Sequence, residues 1–254
     1  MSPRLAMIRT ILNSIAFLTL LPIRADGGLT PAEMGRFPAC YPLVGLILGL
    51  ISFVLATLLS WTGLPTAAAA IFLVTAQIVL TRGFHLDGLA DSADALLSHR
   101  SVERKLEIFK DSHLGTFGVL AIVLDVLLKA SLISALALDG RFPPHLLLLY
   151  PLWGRLAASV VATRSRYARP GGGLGHDMVA HSGPRELWVA TLYGQAISLL
   201  FGPWSLACAI VALLAGFLLA RLWRHCLGGV TGDLLGATVE LGEIVSLAAF
   251  ALVG

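Results

Sequence analysis

The sequence predicts an all-α, polytopic integral membrane protein of seven or eight helices, organised as a single domain over residues 1–254. Three observations carry this prediction. Hydrophobic residues make up 57% of the chain and charged residues only 13%, about half the charged content of an ordinary soluble domain; the mean hydropathy is +0.84. Long apolar runs recur along the whole chain. The period-two alternation of a membrane barrel is absent, and only helices or closed barrels satisfy their backbone groups in lipid.

The first apolar stretch, residues 11–23, follows Arg4 and Arg9 and resembles a signal-peptide core. Arg24-Ala25-Asp26-Gly27 is a poor small-x-small cleavage site, so the stretch is kept as mature sequence. At about 13 apolar residues it is short for a crossing, which leaves an interfacial or re-entrant placement open. Further runs fall at roughly 41–60, 65–81, 114–138, 145–163, 187–201, 203–222 and 234–253. At about 1.5 Å per helical residue, each is long enough, or nearly so, to cross a hydrocarbon core. No internal repeat is evident.

The connections between these runs are of two alternating kinds. Those at 61–64, 139–144 and 202 are short, with Arg141 their only Lys or Arg. Those at 82–113, 164–186 and 223–233 are longer and basic, holding Arg82, Arg100, Arg104, Lys105 and Lys110, then Arg164, Arg166, Arg169 and Arg185, then Arg224. Such alternation follows the positive-inside rule and places all three long loops, with the 24–39 segment, on the cytoplasmic side. The net charge of +3 and pI near 9.0 are thereby explained by membrane orientation, and nucleic-acid binding is not indicated. Cys40, Cys208 and Cys226 form no CxxC and suggest neither a disulfide framework nor a zinc site.

The most informative stretch opens the first long loop: Gly83-Phe84-His85-Leu86-Asp87-Gly88-Leu89-Ala90-Asp91-Ser92-Ala93-Asp94. Asp87, Asp91 and Asp94 stand at i, i+4 and i+7, so a helix projects them from one face, where they repel unless a cation sits among them. Carboxylates without a neighbouring cysteine suit a hard ion such as Mg²⁺; a solvated acidic face is the simpler alternative. His85 fits a general base, a ligand or an orienting group, against a purely structural place near a helix end. The loop closes with Lys110-Asp111-Ser112-His113-Leu114-Gly115-Thr116-Phe117-Gly118. There Asp111 or Ser112 can cap the next helix, and the amides of the glycine turn offer a phosphate site.

The second loop, Arg164-Ser165-Arg166-Tyr167-Ala168-Arg169-Pro170-Gly171-Gly172-Gly173-Leu174-Gly175-His176, sets arginines beside glycines, a pattern suited to phosphate or to a flexible orientation signal. The third, Gly228-Gly229-Val230-Thr231-Gly232-Asp233, leads into a run where Asp233, Glu240 and Glu243 share a helix face. Glu240 and Glu243 lie inside an apolar span, where a carboxylate is costly and by default functional. Two acidic stripes on one membrane face suggest a shared metal site, with one or two ions bridging phosphates. Asp125 and Lys129, at i and i+4, are expected to neutralise each other, and Arg155 is expected to pair with Glu240 or Glu243.

In combination these motifs resemble the adenosylcobinamide-GDP ribazoletransferase, or cobalamin 5'-phosphate synthase, family. The resemblance covers nearly the whole chain: Phe17-Leu18-Thr19 with Pro22, Tyr41-Pro42-Leu43-Val44-Gly45, His85-Leu86-Asp87-Gly88-Leu89-Ala90-Asp91, Asp111-Ser112, Gly115-Thr116, Gly118, Tyr167-Ala168-Arg169-Pro170, and Gly228 through Glu243. The acidic motif and the Gly-Gly-Val-Thr-Gly-Asp motif are its specific parts. His113 departs from the family, which usually has Arg there; Ser92 and Ala95 stand where Thr and Gly are common.

The resemblance implies a Mg²⁺-dependent transfer in which a ribose hydroxyl of α-ribazole, or of its 5'-phosphate, attacks the cobinamide-side phosphate of adenosylcobinamide-GDP and GMP leaves. On that reading Asp87, Asp91, Asp94 and Asp233 hold the metal, and His85 or one of the carboxylates is the base. Lys110, Asp111, Ser112, Arg166, Arg169 and Gly232 contact substrate, while Glu240 and Glu243 support the site or meet the corrinoid. A bacterial cytoplasmic membrane is the expected location, with room for association with other cobalamin-assembly enzymes or a second copy. Two alternatives fit the motifs less well. A CDP-alcohol-type phosphotransferase requires an Arg that is missing after Asp87-Gly88-Leu89-Ala90, and an ion-coupled transporter should carry its charges near the midplane of paired broken helices.

Overall fold

The computed structural model describes residues 3–23, 28–111, 113–138, 144–173 and 175–253. Its elements in chain order are α1 (Pro3–Leu18), α2 (Pro31–Met34), α3 (Phe37–Ser60), α4 (Thr66–Leu80), α5 (Phe84–Leu96), α6 (Val102–Ile108), α7 (Thr116–Ile133), α8 (Leu146–Arg164), α9 (His176–Ala180), α10 (Pro184–Leu200), α11 (Pro203–Leu227) and α12 (Gly232–Val253). A π-helical turn, Ser134–Leu138, extends α7. Among the described residues no strand forms; an isolated parallel bridge joins Tyr167 to Val230. The all-α, multi-pass membrane architecture is the one the apolar runs require.

Five described helices are long and apolar enough to cross a membrane: Phe37–Ser60, Thr116–Leu136, Leu146–Arg164, Pro203–Leu227 and Gly232–Leu252. The run at 65–81 forms α4, only 15 residues long, which turns by 90° into α5; counted as one broken span, the pair raises the number to six. The run at 187–201 forms α10, 17 residues, and the N-terminal stretch forms the short apolar α1, 16 residues. The expected seven or eight crossings are therefore reached only if these shorter helices are counted. The difference has a physical cause: an apolar run measures how much chain avoids water, and a bend divides it without changing its composition.

Helix α8 is the axle of the bundle, with 89% of its span buried inside the protein. In lipid no hydrophobic force draws helices together, so small residues that let backbones approach decide the packing. A Cβ on Gly45 would meet the backbone of Pro151 and Leu152, one on Gly49 that of Leu148, and one on Gly216 that of Ala157; Gly242 lies against Gly154. Thus α3, α11 and α12 all close on α8 through glycines. Around them sit the fully buried Tyr150 and Trp153, the latter donating its indole N–H to Ser198 Oγ at 3.0 Å.

The three basic loops gather at one end of the bundle. Ala168 N–H donates to Val230 O and Val230 N–H to Arg166 O, both at 2.9 Å. Arg169 reaches Asp233, and Asp94 reaches the start of α7. At the opposite end the His145 and Phe201 rings lie 5.0 Å apart and Ser134 bonds Thr66 at 3.3 Å. The Arg141 turn lies outside the described residues. Gly49→Val should force α3 from α8 and destabilise the bundle by about 2 kcal/mol. The thermal unfolding midpoint in detergent reads this loss, and Leu50→Val, on an exposed position of the same helix, should leave it unchanged.

Candidate active site

Helix α5 owes its direction to two consecutive left-handed residues, Arg82 (φ 58°) and Gly83 (φ 65°). Gly83 N–H closes the end of α4 by donating to Ile78 O at 2.7 Å, and only the second position has a glycine to relieve the strain. With 13 residues, or about 20 Å at 1.5 Å per residue, α5 is too short to span a bilayer. It buries His85, Leu86, Gly88, Leu89, Ala90, Ser92 and Ala95 and leaves Asp87 exposed, with Asp91 and Asp94 half-buried.

Its partner is the first turn of α12. Gly88 has no side chain because a Cβ there would come within 2.5 Å of Asp233 O, and a Cβ on Gly236 would lie 3.1 Å from the His85 Cα. This crossing sets Asp233 beside Asp87 and Asp91. Thr231 Oγ1 donates to Asp233 Oδ2 at 3.2 Å and accepts Leu234 N–H at 3.3 Å, capping α12 while orienting the carboxylate. Arg169 Nη2 donates to Asp233 Oδ2 at 2.7 Å and to Phe109 O at 2.8 Å, with its guanidinium 5.6 Å from the Phe109 ring centroid. The glycine loop is drawn in by Gly175, whose Cβ would lie 3.0 Å from Gly232 Cα. Phe109 had no signature in the sequence, whereas Thr231 was findable as a cap two residues before an aspartate.

The electrostatics follow from this assembly. Burial pushes the Asp91 carboxyl up to about 7, with Asp87, Asp233 and Asp94 adding to the rise and Arg169 opposing it. A carboxyl raised by burial among acidic neighbours is short of positive charge, the condition a divalent cation relieves. Among the described residues no three His, Cys, Asp or Glu side chains converge into a preformed metal cage. The donor chemistry still suits Mg²⁺, which is commonly held by one or two carboxylates and completed by substrate phosphates.

Two expectations cancel each other. Asp94 leaves the proposed metal stripe: its Oδ2 accepts Gly115 N–H at 2.7 Å and its Oδ1 accepts Gly118 N–H at 2.9 Å, so it caps α7. A Cβ on Gly115 or Gly118 would strike this carboxylate. The helix N-terminus expected to bind phosphate is therefore filled from within, because a carboxylate supplies the same negative charge to the same amides.

Glu240 and Glu243 are corrected as well. Both are buried, and neither faces the loops: Lys129 pairs with Glu240, with Glu243 at 2.8 Å and with Asp125 at 3.3 Å, while Arg155 pairs with Glu243. The structure shows them neutralised inside the bundle, where unpaired charges are costly. The Asp125–Lys129 and Arg155–Glu243 pairs are those the sequence suggested. His85 is 2% exposed, with Nδ1 3.4 Å from Arg155 Nη2. A guanidinium can only donate, so Nδ1 is the acceptor in this contact, and the ring is turned to the network rather than to an open base position.

The remaining candidates surround the cluster. Arg166 is exposed and donates Nε–H to Gly228 O at 2.7 Å. Lys110 and Asp111 are exposed; Asp111 Oδ1 receives the His113 N–H at 3.1 Å and lies 2.6 Å from its Nδ1, bonds that hold the Asp111 carboxyl below its ordinary range. Ser112 lies outside the described residues. The structure thus brings Asp87, Asp91, Asp233, Arg169 and Gly232 together and sets Asp94, His85, Glu240 and Glu243 to other tasks.

Comparison with known proteins is consistent over most of the chain. The family model described as cobalamin-5-phosphate synthase matches residues 10–251. A protein of Syntrophobacter fumaroxidans named adenosylcobinamide-GDP ribazoletransferase is 42% identical over 243 residues, 94% of this chain and 96% of its own. Proteins of the same name from Citrobacter koseri and Escherichia coli are 42% and 41% identical, each over 92% of this chain and 96% of theirs. No solved structure matches.

Substitutions at two positions test the structural roles. Asp94→Ala should cost about 1 kcal/mol or more through the lost cap, with Asp94→Asn milder, read as unfolding midpoints. Lys129→Met strands buried carboxylates and should cost about 3–5 kcal/mol, read in the same way.

Proposed function

Because the chain belongs to the cobalamin-5-phosphate synthase family, we propose that it transfers the adenosylcobinamide-phosphate moiety of adenosylcobinamide-GDP to α-ribazole, or to α-ribazole 5'-phosphate, with release of GMP. The observation that supports this most is the meeting of Asp87, Asp91, Asp233 and Arg169 at the basic end of the bundle. A ribose hydroxyl oxygen forms the new P–O bond at the cobinamide-side phosphate, the phosphoanhydride P–O bond breaks, and GMP carries off its electron pair. The product is a phosphodiester joining cobinamide to the nucleoside.

Such a transfer depends on positioning and on positive charge around the equatorial oxygens more than on covalent chemistry. Asp87, Asp91 and Asp233 would hold Mg²⁺, which would supply positive charge to the substrate phosphates. Arg169, steadied by the Phe109 carbonyl and ring, holds Asp233 in place and presents a guanidinium beside the phosphate position. Exposed Arg166 and Lys110 lie on the surrounding loops and suit the outer phosphate. The hydroxyl proton passes to a carboxylate of the cluster that the ion leaves free rather than to the enclosed His85. The alternation of basic and neutral connections supports a bacterial cytoplasmic membrane with this end facing the cytoplasm, the side where nucleotide substrates reside.

Purified protein in lipid, given adenosylcobinamide-GDP, α-ribazole and Mg²⁺, should release GMP and stop when a chelator is added; no GMP, or release indifferent to chelator, would sink the reading. Asp91→Ala should lower release by about 10²-fold or more while the protein stays folded in the membrane. The pH dependence has a fixed sign. Asp91, raised to about 7, is protonated and a poor ligand below that value. Mg²⁺ affinity measured by titration calorimetry should therefore weaken as pH falls through 7, and Asp91→Asn should flatten that slope.

A further inference from the structure

A cavity of about 740 Å³ lies between α1, α3 and α10, away from the acidic cluster and with no lining residue from α5 or α12. Its wall is mostly apolar, with Met7, Ile11, Leu43 and Val189 along it, and the charged residues in its lining are Arg36, Arg185 and Glu186. We propose that this groove binds an anionic phospholipid, its phosphate on Arg36 and Arg185 and its acyl chains along the α1–α3–α10 wall.

Three observations converge on that occupant. The first is charge. Arg36 and Arg185 are exposed and make no ion pair among the described residues. The carboxylates nearby are already engaged: Glu33 pairs with Arg9 at 3.5 Å and bonds Thr30, and Glu186 accepts Gly183 N–H at 3.0 Å. Three arginines thus face two committed glutamates, an excess that favours a phosphate anion.

The second is position. Arg36 immediately precedes α3 and Arg185 sits in the first turn of α10. Both belong to the end of the bundle that carries the basic loops, where a spanning helix meets the headgroup layer and arginines meet anionic lipid. The third is continuity. The walls run into exposed apolar surface, with Met7 61%, Trp188 64% and Leu192 65% exposed. A ligand here must be charged at one end and oily over the rest. Zwitterionic headgroups bring their own cation against the arginines, so the anionic class is preferred.

The test uses the full-length protein in nanodiscs of phosphatidylcholine with a minor fraction of phosphatidylglycerol, counting retained lipids per chain by native mass spectrometry after stepwise delipidation. Wild-type protein should keep phosphatidylglycerol about tenfold or more over its bulk fraction. Arg36→Gln/Arg185→Gln should fall to the bulk ratio with an unchanged unfolding midpoint, and Arg36→Lys/Arg185→Lys should keep part of the preference. Equal enrichment in wild type and the Gln variant, or equal retention of phosphatidylcholine, would overturn the proposal. So would a dimer that survives delipidation and is broken by Val189→Arg, because a second copy would then occupy the groove.

Discussion

The crossing of α5 over the first turn of α12 is the contact on which the site depends. Gly88 rests on the Asp233 carbonyl and Gly236 on the His85 backbone, and in lipid such absent side chains replace the hydrophobic force as the reason for two helices to touch. Once the backbones meet, the carboxylates of both helices have nowhere to retreat. Burial first, and then their mutual repulsion against the opposing charge of Arg169, holds the Asp91 carboxyl high. A larger residue at position 88 or 236 would relieve the repulsion by separating the helices, and would dismantle the cluster in doing so.

The charges of the chain divide into two populations with opposite tasks. Asp125, Lys129, Arg155, Glu240 and Glu243 are turned inward and compensate one another in the bundle. Asp87, Asp91 and Asp233 stand at the edge of the bundle and are under-compensated. The first population fixes how α7, α8 and α12 are registered against one another; the second is left with an unmet demand for positive charge. His85 lies between the two, facing Arg155 from a helix whose other face carries the acids.

Much of this was legible in the sequence, and the failures are instructive. The apolar runs located α3, α7, α8, α11 and α12 because composition alone decides residence in lipid. The acidic motif and Asp233 were recognisable because carboxylates are rare in such a chain. The 90° turn between α4 and α5 was not legible, since it rests on the left-handed conformation of Arg82, a residue with no preference for it. The capping of α7 by Asp94 was not legible, because periodicity reports which face a side chain leaves from and says nothing of what waits opposite. Glu240 and Glu243 share a helix face with Asp233 by the same periodicity, yet depth divides them. Asp233 sits half-buried at the rim beside Arg169, and the glutamates sit deeper, against Lys129 and Arg155.

The inward network also constrains how the protein is made. An isolated helix carrying two carboxylates pays about 2.5–3.5 kcal/mol for each charge at the bilayer centre, and α12 carries two such groups. Its partners Lys129 and Arg155 lie on α7 and α8, which precede it in the chain. Membrane insertion of α12 is therefore coupled to the earlier arrival of those helices, either by waiting in the translocon or by entering with its glutamates protonated and releasing the protons on docking. The order of synthesis and the electrostatics of the finished bundle agree: the bases are in place before the acids that need them.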